Sequence, residues 1–203
     1  MRKAAAAPSE KTVRALLERH GCPVPFHEVR TRFLGNIATP KPAASPLQTI
    51  TDLWGGKLPV FGSIDELNEL LDALVRGLWN DLTRHQERRQ PFRLTHVPME
   101  PTAANLARYG LIRRQELNGF IEGLFSGEAA IDLPERAHRA VGHLSELRAM
   151  MGGICDLVSR EPNVDDRAEL EATFKQLREL TRIMETEIHE AVLSCTRARR
   201  QDA

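Results

Sequence analysis

The chain has 203 residues, with 28 acidic and 28 basic side chains that leave a formal net charge of zero. A neutral chain lacks the overall positive field that draws proteins to nucleic acid or to an anionic membrane. Aromatic residues make up only 5% of the composition, which argues against a broad stacking platform for bases or sugars.

Short helices separated by turns are predicted for the first part of the chain. Residues 1–9 are expected to form a flexible tail. Ser45 followed by Pro46 has the pattern of an N-cap and a first helical residue. Glycines and prolines mark the ends of helices in this part of the chain. Their positions predict three helices, over residues 9–20, 25–37 and 45–55.

A longer helix is predicted to begin at Ser63, which forms a capping box with Glu66. In such a box the serine hydroxyl accepts from a first-turn N–H while the glutamate reaches back toward the serine. Leucines at three-and-four spacing continue this helix to about Arg89, before Pro91 ends it. Further helices are expected over residues 102–109, 111–125, 132–158 and 165–199, with Gly110 as the break between the first two.

These patterns predict an all-α multi-helix bundle, because no segment alternates between apolar and polar residues with period two. The chain is divided into the tail, a helical core domain over residues 10–160 and a long C-terminal amphipathic helix over residues 161–203. That last helix would extend roughly 50 Å, more than a compact domain of this length needs. We expect it either to pack on the core or to pair with a second copy. Its apolar stripe is the predicted protein-contact surface and consists of Leu170, Phe174, Leu177, Met184 and Ile188.

Three histidines lie three or four residues from a carboxylate on the same predicted helix, namely His85, His138 and His189. The pair formed by Glu135 and His138 has the Glu-x-x-His spacing of a di-metal bundle, but such a site needs two copies. Pairs four residues apart are more often exposed ion pairs than ligand sets. A metal-dependent enzyme built on these histidines is therefore kept as an alternative, and no metal or cofactor is predicted.

The three cysteines offer no convincing nucleophile. Cys155 and Cys195 fall on apolar stripes, and Cys22 lies in a Gly-Cys-Pro turn without an assigned base. Their number and scatter exclude a disulfide framework and fit a reducing compartment. The sequence also lacks the Gly-x-Ser-x-Gly and phosphate-loop signatures, so no catalytic residue is predicted.

Residues 76–93 are locally basic, with five arginines against two acids. Four of these arginines are the candidates for a nucleic-acid contact: Arg84, Arg88, Arg89 and Arg93. Phe92 beside them has a ring that could stack on a base. The alternative is that cations at a helix end complement the helix dipole.

The middle of the chain, about residues 30–150, resembles the YecA/YgfB family of bacterial all-helical proteins. The resemblance rests on residues 33–40, on 45–56, on 65–82 leading into Pro91-Phe92-Arg93, and on the Gly-Phe-x-x-Gly-Leu segment at 119–124. It implies a helical core without catalytic residues and with a poorly defined function. Some members carry a Cys/His metal-binding tail, which has no counterpart in this sequence, so the resemblance implies no zinc role.

The leading functional hypothesis is a cytoplasmic adaptor or regulator that binds another protein and has no catalytic activity. It rests on the long C-terminal helix, through which homo-oligomers could also form. No sequence window approaches a membrane span. A nucleic-acid-associated factor that uses the arginines of residues 84–93 is the second hypothesis.

Overall fold

A computed structural model describes residues 8–40, 45–160 and 167–201, and the regular elements in these residues are all helices. The prediction of an all-α bundle is confirmed. None of the helices in the described ranges is long and apolar enough to cross a membrane. The described ranges contain seven helices: α1 Glu10–Arg19, α2 Phe26–Ala38, α3 Pro46–Asp52, α4 (residues 64–86), α5 Ala103–Phe125, α6 Glu135–Arg160 and α7 Arg167–Gln201. The helix α4 consists of four consecutive segments: Ile64–Asp72, Ala73–Trp79, Asn80–Leu82 and Thr83–Gln86.

Side-chain caps begin several helices where the sequence predicts them. Ser9, at the end of the predicted tail, accepts from the Thr12 N–H and caps α1. Ser45 and Ser63 cap α3 and α4 in the same way. Glu66 accepts from the Gly62 N–H at 2.8 Å, one residue before the position that a capping box uses. Residues 1–7 of the predicted tail and residues 41–44 lie outside the described ranges.

The most extensive helix contact joins α2 to α5 and depends on glycine. A Cβ atom at Gly35 would lie 2.1 Å from the Phe120 carbonyl oxygen, and one at Gly123 would lie 2.0 Å from the Arg32 carbonyl oxygen. Such distances are far inside van der Waals contact, so the two backbones can meet only where side chains are missing. These glycines belong to two of the segments that carry the family resemblance, and their role here is close packing.

The helix α4 changes its winding along its length. Its buried leucines recur every four residues, at Leu70, Leu74, Leu78 and Leu82. In an α-helix of 3.6 residues per turn, each four-residue step drifts about 40° around the axis. The π-helical stretch Ala73–Trp79 has wider turns, which bring these leucines back into line. The helix ends in the 3-10 turn Thr83–Gln86, slightly before the predicted Arg89.

The predicted break at Gly110 is wrong, because α5 runs without interruption from Ala103 to Phe125. Gly110 instead lets α6 approach α5. A Cβ atom there would lie 3.1 Å from both the Met151 carbonyl oxygen and the Cys155 Sγ. A glycine can thus mark a helix contact as well as a helix end, and the sequence does not distinguish the two.

The C-terminal helix α7 packs on the bundle, mainly against α6 and also against α2 and α5. The Tyr109 hydroxyl donates to the Leu177 carbonyl oxygen at 2.7 Å and ties α7 to α5. The predicted contact stripe is buried in this interface, each member being at most 4% exposed: Leu170, Phe174, Leu177, Met184 and Ile188. The stripe therefore holds α7 to its own chain, and it offers no free surface to a partner in this conformation.

The irregular connection between α4 and α5 is fixed by two carboxylates, of which Glu116 is buried and Glu185 is partly buried. Glu116 in α5 is fully buried and accepts a hydrogen bond from the Thr95 N–H at 2.7 Å. The Arg113 guanidinium forms an ion pair with Glu116 and also donates to the Thr95 carbonyl oxygen. On the other side, Glu185 of α7 accepts from the Leu94 N–H at 3.0 Å. The connection is thereby anchored to two helices.

Candidate functional site: an arginine-lined pocket

Two of the histidines considered as metal ligands hold a loop in place. His85 is 6% exposed and its Nδ1 lies 2.8 Å from the Gln90 carbonyl oxygen, to which it donates. His189 on α7 donates from Nε2 to the Arg88 carbonyl oxygen at 3.3 Å. The loop that follows α4 is therefore tied down at both Arg88 and Gln90. Burial lowers the pKa of His85 and so favours the neutral ring, although the hydrogen bond to the Gln90 carbonyl oxygen acts in the opposite direction.

The carboxylates predicted to accompany these histidines have other partners. Asp81 accepts from Arg84 at 2.6 Å, and Glu185 pairs with Arg93. His138 lies exposed on α6. Within the described ranges, no group of three or more potential ligands is close enough to hold a metal ion.

The cysteines are held in the thiol form by burial. Desolvation raises the pKa of Cys22 and Cys155, and it raises the pKa of Cys195 to about 11. A nucleophilic cysteine requires the opposite shift. The three sulfur atoms therefore carry no candidate chemistry of this kind.

The predicted arginine patch is divided by the fold. Arg84 and Arg93 form ion pairs with Asp81 and Glu185, so their charges are compensated within the protein. Phe92 is fully buried, with its ring against the edge of His85, so it is not available to stack on a base. What remains of the patch is Arg88 and Arg89, both exposed on the loop after α4.

These two arginines meet two others from the last turns of α7 around a pocket of about 520 Å³. The residues that line this arginine pocket are Gln86, Glu87, Arg88, Arg89, Leu193, Thr196, Arg197 and Arg200. The four arginines are exposed, and none forms an ion pair with a described residue. Four arginines against one glutamate leave the lining with a formal charge of +3. Such a lining attracts anions, and planar guanidinium groups bind their oxygens in pairs.

Thr196 adds a second unusual feature to the arginine pocket. The residue is 3% exposed, and its Oγ1 atom has no hydrogen-bond partner among the described residues. A buried hydroxyl without a partner is unfavourable by about 1–3 kcal/mol, so most such groups are satisfied. Because the Oγ1 atom itself is closed to solvent, a ligand oxygen in the pocket could become its partner only after the Thr196 side chain rotates.

The helical wall of the arginine pocket is fixed to the rest of the bundle. Arg199 turns away from the pocket and donates to the carbonyl oxygens of Ile37 and Thr39, at 3.0 and 3.3 Å. These are terminal carbonyl groups of α2, which a cation stabilises. Because His189 anchors the opposite loop, both walls are held by contacts outside the pocket.

Another cavity, of about 540 Å³, lies beside the C-terminal end of α5. It includes the apolar side chains of Ile121 and Phe125 together with Arg32 and Glu122. Arg32 pairs there with both Glu28 and Glu122. The guanidinium in this cavity is therefore compensated, whereas those of the arginine pocket have no carboxylate partner in the described residues.

Sequence patterns identify only half of the arginine pocket. Arg88 and Arg89 belong to the predicted basic patch, but Arg197 and Arg200 suit the dipole of a helix end equally well. Thr196 has no sequence signal at all. The two halves are about one hundred positions apart in the chain, and it is the fold that brings them together, as the shared lining and the hydrogen bond from His189 to the Arg88 carbonyl oxygen show.

Comparisons of the chain with models of protein families, with curated proteins and with solved structures find no match. The resemblance to the YecA/YgfB family therefore stays a prediction from the sequence, and the arguments below rest on the geometry.

Proposed function

We propose that this protein is a helical adaptor or regulator that binds an anionic partner at the arginine pocket. The proposal is carried by one observation, the convergence of four arginines without carboxylate partners in the described residues. Cations placed together repel one another unless an anion lies between them, so the arrangement is most stable when it is occupied.

This proposal replaces the C-terminal stripe as the site of contact. Recognition of acidic or phosphorylated segments by arginine clusters is an established mode of binding between proteins. Nucleic acid is less well supported, because no aromatic side chain lines the described part of the pocket and Phe92 is buried. Without a stacking surface, a protein contacts single strands through their phosphates alone.

The test is calorimetric titration of the whole protein with inorganic tripolyphosphate at two salt concentrations. We expect binding near one equivalent, weaker at high salt because mobile ions screen the charges. Replacing Arg88→Gln together with Arg197→Gln should weaken binding at least about tenfold, since each charge-assisted hydrogen bond contributes roughly 1.5–3 kcal/mol.

The matched control removes two exposed arginines outside the pocket, Arg108→Gln with Arg160→Gln. Both double variants lose the same net charge, so a general electrostatic attraction would affect them equally. Equal affinities for the two variants would contradict the proposal, as would the absence of binding to the unmodified protein.

A further inference from the structure

We infer that the arginine pocket takes a terminal phosphate, the dianionic end of a phosphate monoester, in preference to a phosphodiester or a carboxylate. The inference rests on the proposed function and adds the chemical class of the ligand. It is argued from the donors of the pocket, from Thr196 and from what the lining lacks.

The donors of the pocket exceed what a carboxylate can use. Each guanidinium carries five N–H groups in a fixed fork, and the pocket brings four of them together. A carboxylate has two oxygens in one plane and is satisfied by one or two forks. A monoester presents three terminal oxygens in a tetrahedral arrangement, so guanidinium groups can approach it from several directions.

The charge of the lining favours a dianion over a monoanion. Four arginines and Glu87 sum to +3, and a monoester carries close to two negative charges at neutral pH. A diester carries one charge per phosphate. The monoester therefore compensates more of the lining charge within a single pocket.

The position of Thr196 favours a terminal phosphate over a phosphate within a chain. Its hydroxyl belongs to a residue that is almost completely buried, and it lacks a partner among the described residues. After the Thr196 side chain rotates toward the pocket, a terminal phosphate can direct one oxygen toward that hydroxyl while the ester oxygen leads back to solvent. A phosphate within a nucleic-acid strand is bonded to a nucleotide on each side. Both nucleotides must stay outside the pocket, so such a phosphate is kept at the exposed rim.

The described part of the lining also lacks an aromatic ring on which a base or a sugar could stack. Its described side chains are arginines with a glutamine, a glutamate, a leucine and a threonine, and none of them is aromatic. The pocket therefore recognises the phosphate itself. Two sources share this chemistry, a phosphorylated side chain of a partner protein and a small phosphorylated metabolite.

The experiment measures the affinity of the full chain for four probes at constant ionic strength. They are a short phosphoserine peptide, glycerol 2-phosphate, dimethyl phosphate and an oligothymidylate without terminal phosphates. Both monoesters should bind at least about tenfold more tightly than dimethyl phosphate. A phosphopeptide that binds much more tightly than glycerol 2-phosphate identifies a protein source, and equal affinities identify a small molecule.

Thr196→Val and Thr196→Ser separate a ligand contact from a structural role. Valine has the shape of threonine but no hydroxyl, so it should weaken monoester binding about tenfold, whereas serine should retain it. Valine should not lower the unfolding temperature of the free protein, because it removes a buried hydroxyl without a partner. Unchanged monoester affinity in the valine variant would overturn the role given to Thr196.

The outcomes also distinguish failure of the monoester preference from failure of anion binding at the pocket. Tight binding of the oligothymidylate or of dimethyl phosphate, equal to that of the monoesters, overturns the inference but leaves an anion-binding pocket. Failure of all four probes and of tripolyphosphate removes the proposed function as well.

Discussion

His85 shows how a buried histidine can act through one hydrogen bond. Its Nδ1 donates to the Gln90 carbonyl oxygen, and its ring packs against the ring of Phe92 at a centroid distance of 5.2 Å. Desolvation lowers its pKa, and Arg84 and Arg30 add to that shift, whereas the hydrogen bond to Gln90 and the charge of Asp81 oppose it. The neutral ring is the form that the folded protein favours.

This preference predicts a pH dependence of stability. Below pH 6.5, His85 of the unfolded chain takes up a proton that the folded protein resists, so the unfolded state binds more protons. The stabilisation is therefore complete above pH 6.5 and is lost as the pH falls through the folded-state pKa. Urea unfolding should show that the free energy of unfolding falls as the pH is lowered from 7.5 to 5.5.

His85→Asn is the matched variant for this prediction, because the asparagine amide can replace Nδ1 as donor but does not titrate. Its stability should be lower overall and should depend less on pH in the same interval. An unchanged pH dependence would assign the effect to other groups. Burial also raises the pKa of Glu28, which acts in the opposite sense, because its contribution to stability is lost as the pH rises.

At the scale of the helices, the contact between α2 and α5 gives the sharpest test of the packing. Gly123→Ala places a Cβ atom 2.0 Å from the Arg32 carbonyl oxygen, and a backbone atom cannot move aside without separating the helices. We expect the free energy of unfolding to fall by about 3 kcal/mol or more. Denaturant titration followed by circular dichroism measures the change.

Gly142→Ala is the control, because a Cβ atom there has no heavy atom within 4 Å and the residue lies in α6. Alanine in an exposed helix is favoured over glycine by roughly 0.5–1 kcal/mol, so this variant should be more stable than the natural protein. Similar losses of stability in both variants would mean that α2 and α5 do not pack as closely as described.

The comparison of these glycines also shows which elements could be predicted. The helices capped by Ser45 and Ser63 begin where the sequence indicates, since a cap depends on residues within one turn. The sequence indicates a break at Gly110, because the residues of α6 that require a glycine there, Met151 and Cys155, are distant in the chain. The period-four leucines of α4 likewise signal a helix, but by themselves they do not show that part of it winds as a π-helix.

Across the whole molecule, the candidate site depends on the way α7 returns along the bundle. Its apolar stripe binds the core, and its last turns then carry Arg197 and Arg200 to the loop that holds Arg88 and Arg89. Composition and helix patterns predict the class of fold because they are local properties. The site could not be predicted in full, since it arises where two distant parts of the chain are packed together.

The arrangement of α7 leads to a prediction about folding and association. Phe174 is 1% exposed, so Phe174→Ala should lower the free energy of unfolding by about 3–5 kcal/mol. Ile183→Ala changes a residue of the same helix that is 46% exposed, and it should have an effect below about 1 kcal/mol.

The dependence on protein concentration then separates packing within one chain from pairing between chains. If α7 packs on its own core, the unfolding temperature of the natural protein stays constant over a hundredfold range of concentration, and Phe174→Ala shifts it equally at every concentration. If the stripe instead joins two copies, the unfolding temperature rises with concentration, because association stabilises the folded state by mass action. If the unfolding temperature rises with concentration in the natural protein and in Ile183→Ala but not in Phe174→Ala, the stripe is a contact surface between chains.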